Sequence, residues 1–241
     1  MSFTRDKWSK EDYAVLLRHM SSLAEEEYKR FNEKIIPDAK DAYGIRIPAL
    51  RKLAKEIAKG DFRGFLAVAD GDRYEEVMLT GLVMAAAKTD YDEMLAYMKR
   101  FAAMITNWAH SDTVIFDGVK KNLERFWVDS EYFITHESPW FVRYGLGHMM
   151  KYYLDGEYIA AVLQRTAAVK NDFYYVRMMQ AWLYATALAK CREETIEFLK
   201  SADIDAETAK MTVGKARDSY RISAEDKALV RKILLKKHTC N

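Results

Sequence analysis

Residues 73–88, RYEEVMLTGLVMAAAK, are apolar on nearly every side once the first turn is past. A helix at the surface shows water one polar face, whereas a helix that is apolar all round has to be covered by others. The stretch therefore predicts an inner-layer helix and a fold made of stacked helices. Only three prolines and ten glycines punctuate the chain, and alternating Val/Ile/Thr runs between turn signals are absent. That pattern excludes a sandwich or barrel and predicts an all-α chain. Half of the residues are apolar, enough for a sizeable core.

Inner-type helices recur at a steady interval. Val142-Arg143 and Val176-Arg177 open similar segments, Trp108 precedes Val142 by the same separation as Val142 precedes Val176, and Val77 precedes Trp108 by nearly that much. A shorter, more polar helix sits between them each time. A helix pair that repeats every roughly 34–40 residues is the signature of an α-solenoid. The TPR side-chain pattern is missing, so the expected architecture is an α-solenoid of HEAT-like helix pairs forming a concave surface. The chain reads as one repeat domain over 1–241, with an N-terminal capping helix within 1–30 and a C-terminal helix and tail over 223–241.

Local signals place the elements. Ser9 predicts an N-cap with Asp12 in the capping-box position, followed by a helix over 10–30. Tyr43-Gly44 predicts a turn, and Pro48 opens the next helix. A long helix is expected from Asn107 to about residue 125, putting Trp108 and Asp112 one turn apart on one face. Further helices are expected over 61–69, 91–104, 129–135, 139–154, 157–169, 173–189, 193–200, 206–219 and 224–236.

A net charge of +2 neither demands nor forbids nucleic acid, because what matters is whether Lys and Arg cluster. Cys191 and Cys240 have neither zinc nor redox spacing and are expected to be reduced thiols. The N-terminus lacks an apolar signal core, and no run is long enough to span a membrane. A cytoplasmic monomer is the expectation.

Three tryptophans, Trp108, Trp140 and Trp182, fall on successive inner-type helices. They either fill a core or form an aromatic box whose ring faces bind a cation. Purines alkylated at N3 or N7 are such cations. Asp112 is either a first-turn acid answering the helix dipole or a catalytic carboxylate that stabilises an oxocarbenium-like sugar. Arg143, in an otherwise apolar helix, needs an acid such as Asp112 or Asp117, or else a phosphate. Arg177 repeats that pattern one period later. Cations from Lys120 to Lys237 suffice for a backbone track, though most helix-surface charges are simply solvated. His110 and His148 have no partners at metal-ligand spacing, so no metal is expected.

These residues resemble the AlkD-like DNA alkylation repair family of HEAT-repeat DNA glycosylases, over roughly residues 25–235. Tyr43–Arg51, YGIRIPALR, is similar to the family's GI(K/R)xPxxR segment. Trp108-Ala-His-Ser-Asp112 fits its W-x-x-x-D motif, and Trp140-Phe-Val-Arg143 fits its W-x-x-R segment. Trp182 falls where the family has a second lesion-side tryptophan, and Lys215–Ile222, KARDSYRI, is similar to a C-terminal segment of one branch. Two positions depart from the active members: Val142 stands where they have a second arginine, and His110-Ser111 replaces a more acidic or apolar pair.

The resemblance implies a monofunctional glycosylase that excises cationic N3- or N7-alkylated purines from double-stranded DNA without base flipping and without a cofactor. Asp112 would be the catalytic residue, with Trp108 and Trp182 against the lesion nucleotide. Arg143, Trp140, Arg177, Lys120, Arg46 and Arg51 would contact the DNA. A non-catalytic DNA-binding module and a protein scaffold are the other readings the same surface allows.

Overall fold

The computed structural model describes residues 2–36, 39 and 41–236. Lys237 and Cys240 lie outside the described residues. Among those described the chain is all-α, with fourteen α-helices, one short 3-10 turn and no strand. Among the described residues no helix is long and apolar enough to cross a membrane. The chain divides into two compact units, residues 1–122 and 123–241.

The first unit is built around the apolar stretch that demanded covering. Its helices are α1 (Lys10–Ser22), α2 (Glu26–Ile35), α3 (Ile47–Ile57), α4 (Phe62–Val68), α5 (Tyr74–Ala86), α6 (Tyr91–Ala102) and α7 (Trp108–Thr113). α5 packs against α3, α4, α6 and α7, and every residue from Tyr74 to Met84 is buried. The Ser9–Asp12 capping box forms as the sequence predicts.

The helix expected over 10–30 is two helices. The chain breaks at Leu23–Glu25, where the Glu25 amide donates to the Gly44 carbonyl at 3.1 Å. Gly44 has φ +88, and a Cβ there would lie 2.5 Å from the Glu25 carbonyl oxygen. Only glycine allows both the left-handed turn and that approach.

The helix expected over 107–125 also ends early. α7 stops at Thr113, Val114 to Phe116 run extended, and a 3-10 turn covers Asp117–Lys121. Val114 and Phe116 are buried in that extended stretch, a conformation that suits their branched and aromatic side chains.

The second unit contains α8 (Leu123–Ile134), α9 (Pro139–Tyr152), α10 (Ile159–Ala168), α11 (Tyr174–Lys190), α12 (Arg192–Ser201), α13 (Ala206–Asp218) and α14 (Ala224–Lys236). Here the helix pairs stack as in a solenoid. α9, α11 and α13 pack side by side as one layer, and α10, α12 and α14 as the other. Val142 and Val176, the repeat markers, are both buried on neighbouring inner helices. α8 is longer than the short helix expected over 129–135, because Phe126 is buried along with Phe133. Arg192 and Asp226 lock α12 to α14 through contacts of 2.6 to 3.0 Å.

Candidate functional site

In WAHSD each residue of α7 has its own task. Asn107 caps the helix, its Oδ1 accepting from the His110 amide at 3.1 Å. The Trp108 indole N–H donates to the Ile35 carbonyl at the end of α2, at 3.1 Å. Ala109 is buried against the core. The His110 ring stacks on Tyr74, and its Nε2 reaches the Tyr74 carbonyl at 2.9 Å. The Ser111 hydroxyl lies 2.9 Å from both the Trp108 carbonyl and Asp112 Oδ1, and orients that carboxylate. At the last residue, the Thr113 carbonyl accepts from Arg51 of α3 at 2.9 Å. A helix this short cannot hold itself together in water. Tethers from α2, α3 and α5 hold this one.

The outcome is a W-x-x-x-D pair that is half-exposed on a rigid mount, while Ala109, His110 and Ser111 between them are buried. The first-turn reading of Asp112 does not hold. α7 has no acid in its first turn, and Asp112 is its penultimate residue. A carboxylate there lies beyond the first turn, where the positive helix end would have stabilised it.

His110 is held neutral. Burial pushes its pKa down to about 4, against the opposing pull of the Tyr74 carbonyl. Nδ1 faces the Asn107 amide nitrogen at 3.2 Å, which can only donate, so Nδ1 accepts and the proton sits on Nε2. His110 is therefore a strut beneath the pair. Among the described residues no group of three or more His, Cys, Asp or Glu side chains could hold a metal.

The YGIRIP segment is pinned by a residue that sequence reasoning missed. Glu75 is fully buried, and its carboxylate accepts from the amides of Tyr43 at 2.8 Å, Gly44 at 2.7 Å and Ile45 at 3.0 Å. Next to it, Glu76 accepts from the Tyr43 hydroxyl at 2.6 Å, and burial together with that carboxylate raises the phenol to about 12. Nothing in their spacing announced the contact. An acid in the first turn of a helix is ordinary, and its partners lie far upstream, before α3 begins.

The other predicted residues separate into distinct roles. Arg46 is exposed but clamped by Glu25, bidentate at 2.8 to 3.0 Å, and lies over Tyr28. The Arg46 hydrogen bonds hold the Glu25 carboxyl below its usual range. Lys120 faces Asp117 at 3.7 Å, both well exposed.

In the second unit, Trp140 packs on Phe173 and Tyr175 with ring centroids 5.1 and 5.4 Å away. Arg143 is only 3% exposed, and its Nη1 donates to the Tyr175 carbonyl at 2.6 Å. Trp140 and Arg143 thus converge on the first turn of α11. Arg177 is paired with Asp172 and lies 3.6 Å from Asp205. Trp182 is 38% exposed, with the Lys215 ammonium 6.0 Å from its ring.

The chain belongs to the DNA alkylation repair enzyme family, whose pattern it matches over residues 16–173, about two thirds of its length. Trp108, Asp112, Trp140 and Arg143 fall inside the matched span, and Trp182 and Lys215–Ile222 fall beyond it. No curated protein and no solved structure matches the chain significantly.

Proposed function

We propose that the protein is a monofunctional DNA glycosylase for positively charged N3- and N7-alkylated purines in duplex DNA. The observation that carries this reading is the mount of Asp112. Half-exposed beside an indole, with the Ser111 hydroxyl at its Oδ1 and its helix tethered to α2, α3 and α5, this carboxylate is held in a fixed position from which it can stabilise positive charge developing on a nucleotide.

The chemistry follows from the lesion. Alkylation makes the purine a cation, and breaking the bond between it and C1′ lets it leave as a neutral base with the bonding pair. The positive charge passes to the deoxyribose. Asp112 stabilises that oxocarbenium-like sugar and orients a water, whose oxygen bonds to C1′ while its proton is released. Trp108 offers its ring face to the lesion nucleotide, with its N–H already satisfied by Ile35. The products are free base and an abasic site. No cofactor is required by this route, and no base flipping.

The DNA-binding roles divide by accessibility. Arg51 is exposed and holds the end of α7, so it is both a tether and a candidate phosphate contact. Lys120 and Arg46 are exposed cations whose carboxylate partners, Asp117 and Glu25, must be displaced or shared for a phosphate to bind. Trp182 with Lys215 offers an exposed ring and a cation together, which suits a nucleotide. Trp140, Arg143 and Arg177 serve mainly to shape the second unit, with any DNA contact secondary. The HEAT-like label and a monomeric state belong to the same proposal.

The test is release of N7-methylguanine and N3-methyladenine from methylated duplex DNA, wild type beside Asp112→Asn. Wild-type release that Asp112→Asn abolishes, with duplex binding retained, is the expected result. No release by wild type, with salt-sensitive duplex binding intact, would replace the reading with a non-catalytic DNA-binding module.

A further inference from the structure

The second unit ends in a groove of about 430 Å³ between α13 and α14. Four cations rim it: Lys210 and Arg217 from α13, Lys227 and Arg231 from α14. No Asp or Glu among the described residues lines it, although Asp218 pairs with Arg217 at the edge, at 2.9 Å. The floor between the rims is mostly apolar, with Val213 and Ala228 on either side of Gly214.

Its position in the stack is informative. Among the described residues α13 packs on α11 and α14. α13 buries Ala209, Thr212 and Ala216. Lys210 and Arg217 project elsewhere, into the groove. A glycine inside a helix sacrifices about 1 kcal/mol against alanine. At Gly214 a Cβ would meet nothing within 4 Å among the described residues, so their packing does not require it. What it leaves is a shallow floor that lets another backbone come close.

Within the second unit the groove lies on a different side of α13 from Lys215 and Trp182. Lys215, which lies at Trp182, is five positions from Lys210, so at roughly 100° per residue the two diverge by roughly 140° around α13. A phosphate backbone has no use for an apolar floor, whereas an amphipathic helix with an acidic border matches both the floor and the rim.

We infer that this groove between α13 and α14 docks an acidic amphipathic helix of a partner protein. Its apolar stripe lies over Val213, Gly214 and Ala228, and its carboxylates meet Lys210, Arg217, Lys227 and Arg231. The inference is independent of the glycosylase reading.

The experiment uses the full chain and a fluorescein-labelled synthetic helix with leucines at helical spacing bordered by glutamates. A scrambled peptide of the same composition and an unmodified DNA duplex are titrated alongside. Anisotropy is expected to show the amphipathic peptide binding about tenfold tighter than its scrambled isomer. Lys227→Glu with Arg231→Glu should remove about tenfold of that affinity, and so should Gly214→Leu, which fills the groove while raising helix propensity. Duplex affinity should be unchanged in both variants, and a thermal melt checks that each is folded. Equal binding of the two peptides, no peptide binding, or unaltered binding by both folded variants overturns the inference. Loss of duplex binding in the charge-reversed variant overturns it too, and makes the groove a nucleic-acid track.

Discussion

His110 lies nearly flat against Tyr74, ring centroids 5.0 Å apart and planes 17° from parallel, with Nε2 on the Tyr74 carbonyl at 2.9 Å. One imidazole thus joins α7 to the first residue of the central helix α5. Its burial sets a pH limit on the fold. Folded His110 titrates at about 4, against 6.5 for the free side chain. Above that ordinary value both states are neutral and the strut contributes fully. As pH falls from 6.5 towards 4 the unfolded chain takes up a proton that the folded one refuses, so stability is lost, by up to about 1.4 kcal/mol per pH unit. His110→Gln should be less stable at neutral pH and flatter with pH. Denaturant midpoints of both proteins across this range measure it, and parallel curves would refute the assignment.

Glu75 offers a second test, on the loop that carries the YGIRIP segment. Glu75→Ala strands three amides, two of them buried, and should cost about 3–5 kcal/mol, with Glu75→Gln costing less because it keeps a carbonyl acceptor. Chemical denaturation gives the size. Hydrogen exchange at Gly44 and Ile45 gives the location, and should accelerate in the alanine variant at least as much as global stability falls. A loss below about 1 kcal/mol would mean that water replaces the carboxylate.

Arg143 and Arg177 sit one repeat apart and should behave differently. Arg143 is buried on the Tyr175 carbonyl, so Arg143→Ala should lose about 2–4 kcal/mol of stability through lost packing and a lost charge-assisted hydrogen bond. Arg177→Ala, which removes a partly exposed cation from Asp172 and Asp205, should lose about 1 kcal/mol or less. A stable Arg143→Ala protein with weakened duplex binding would instead make Arg143 chiefly a phosphate ligand.

Trp108 separates ring from anchor. Trp108→Phe keeps an aromatic face but loses the bond to Ile35, which should cost about 0.5–1.5 kcal/mol in stability. On the proposed chemistry, base release should also slow by about tenfold, because the ring no longer holds its angle beside Asp112. Single-turnover release with saturating protein checks the rate free of binding. Wild-type rates from Trp108→Phe would show that the anchor is dispensable.

Much of the architecture is legible in the sequence because it rests on periodicity. The all-round apolar character of 74–84 demands a buried helix, and α5 is that helix. The spacing of Val142 and Val176 announces stacked inner helices, which α9 and α11 are. Ser9 and Asp12 specify their cap through a contact made within the first turn. Asn107 marks a helix start, and it caps α7.

Other features depend on residues that are distant in the chain, and local patterns carry no trace of them. The helix after Asn107 looks long because 107–125 has helix-compatible residues, yet burial of Val114 and Phe116 draws the chain out of the helix after Thr113. The break at Leu23–Glu25 follows from an amide that finds Gly44. Asp112 reads as a dipole acid or, with Trp108 beside it, as a catalytic group, until the structure puts it next to last in α7, outside the first turn.

Sequence alone determined which helices must be buried and which residue types bear chemistry, since hydrophobic period and side-chain identity are properties of the chain itself. The tertiary structure decided what holds those residues: that Arg51, Ile35 and Tyr74 brace α7, that Glu75 pins the Tyr43 turn, and that Arg143 faces inward. The physical reason is that a buried polar group takes whichever partner the folded chain brings within about 3 Å.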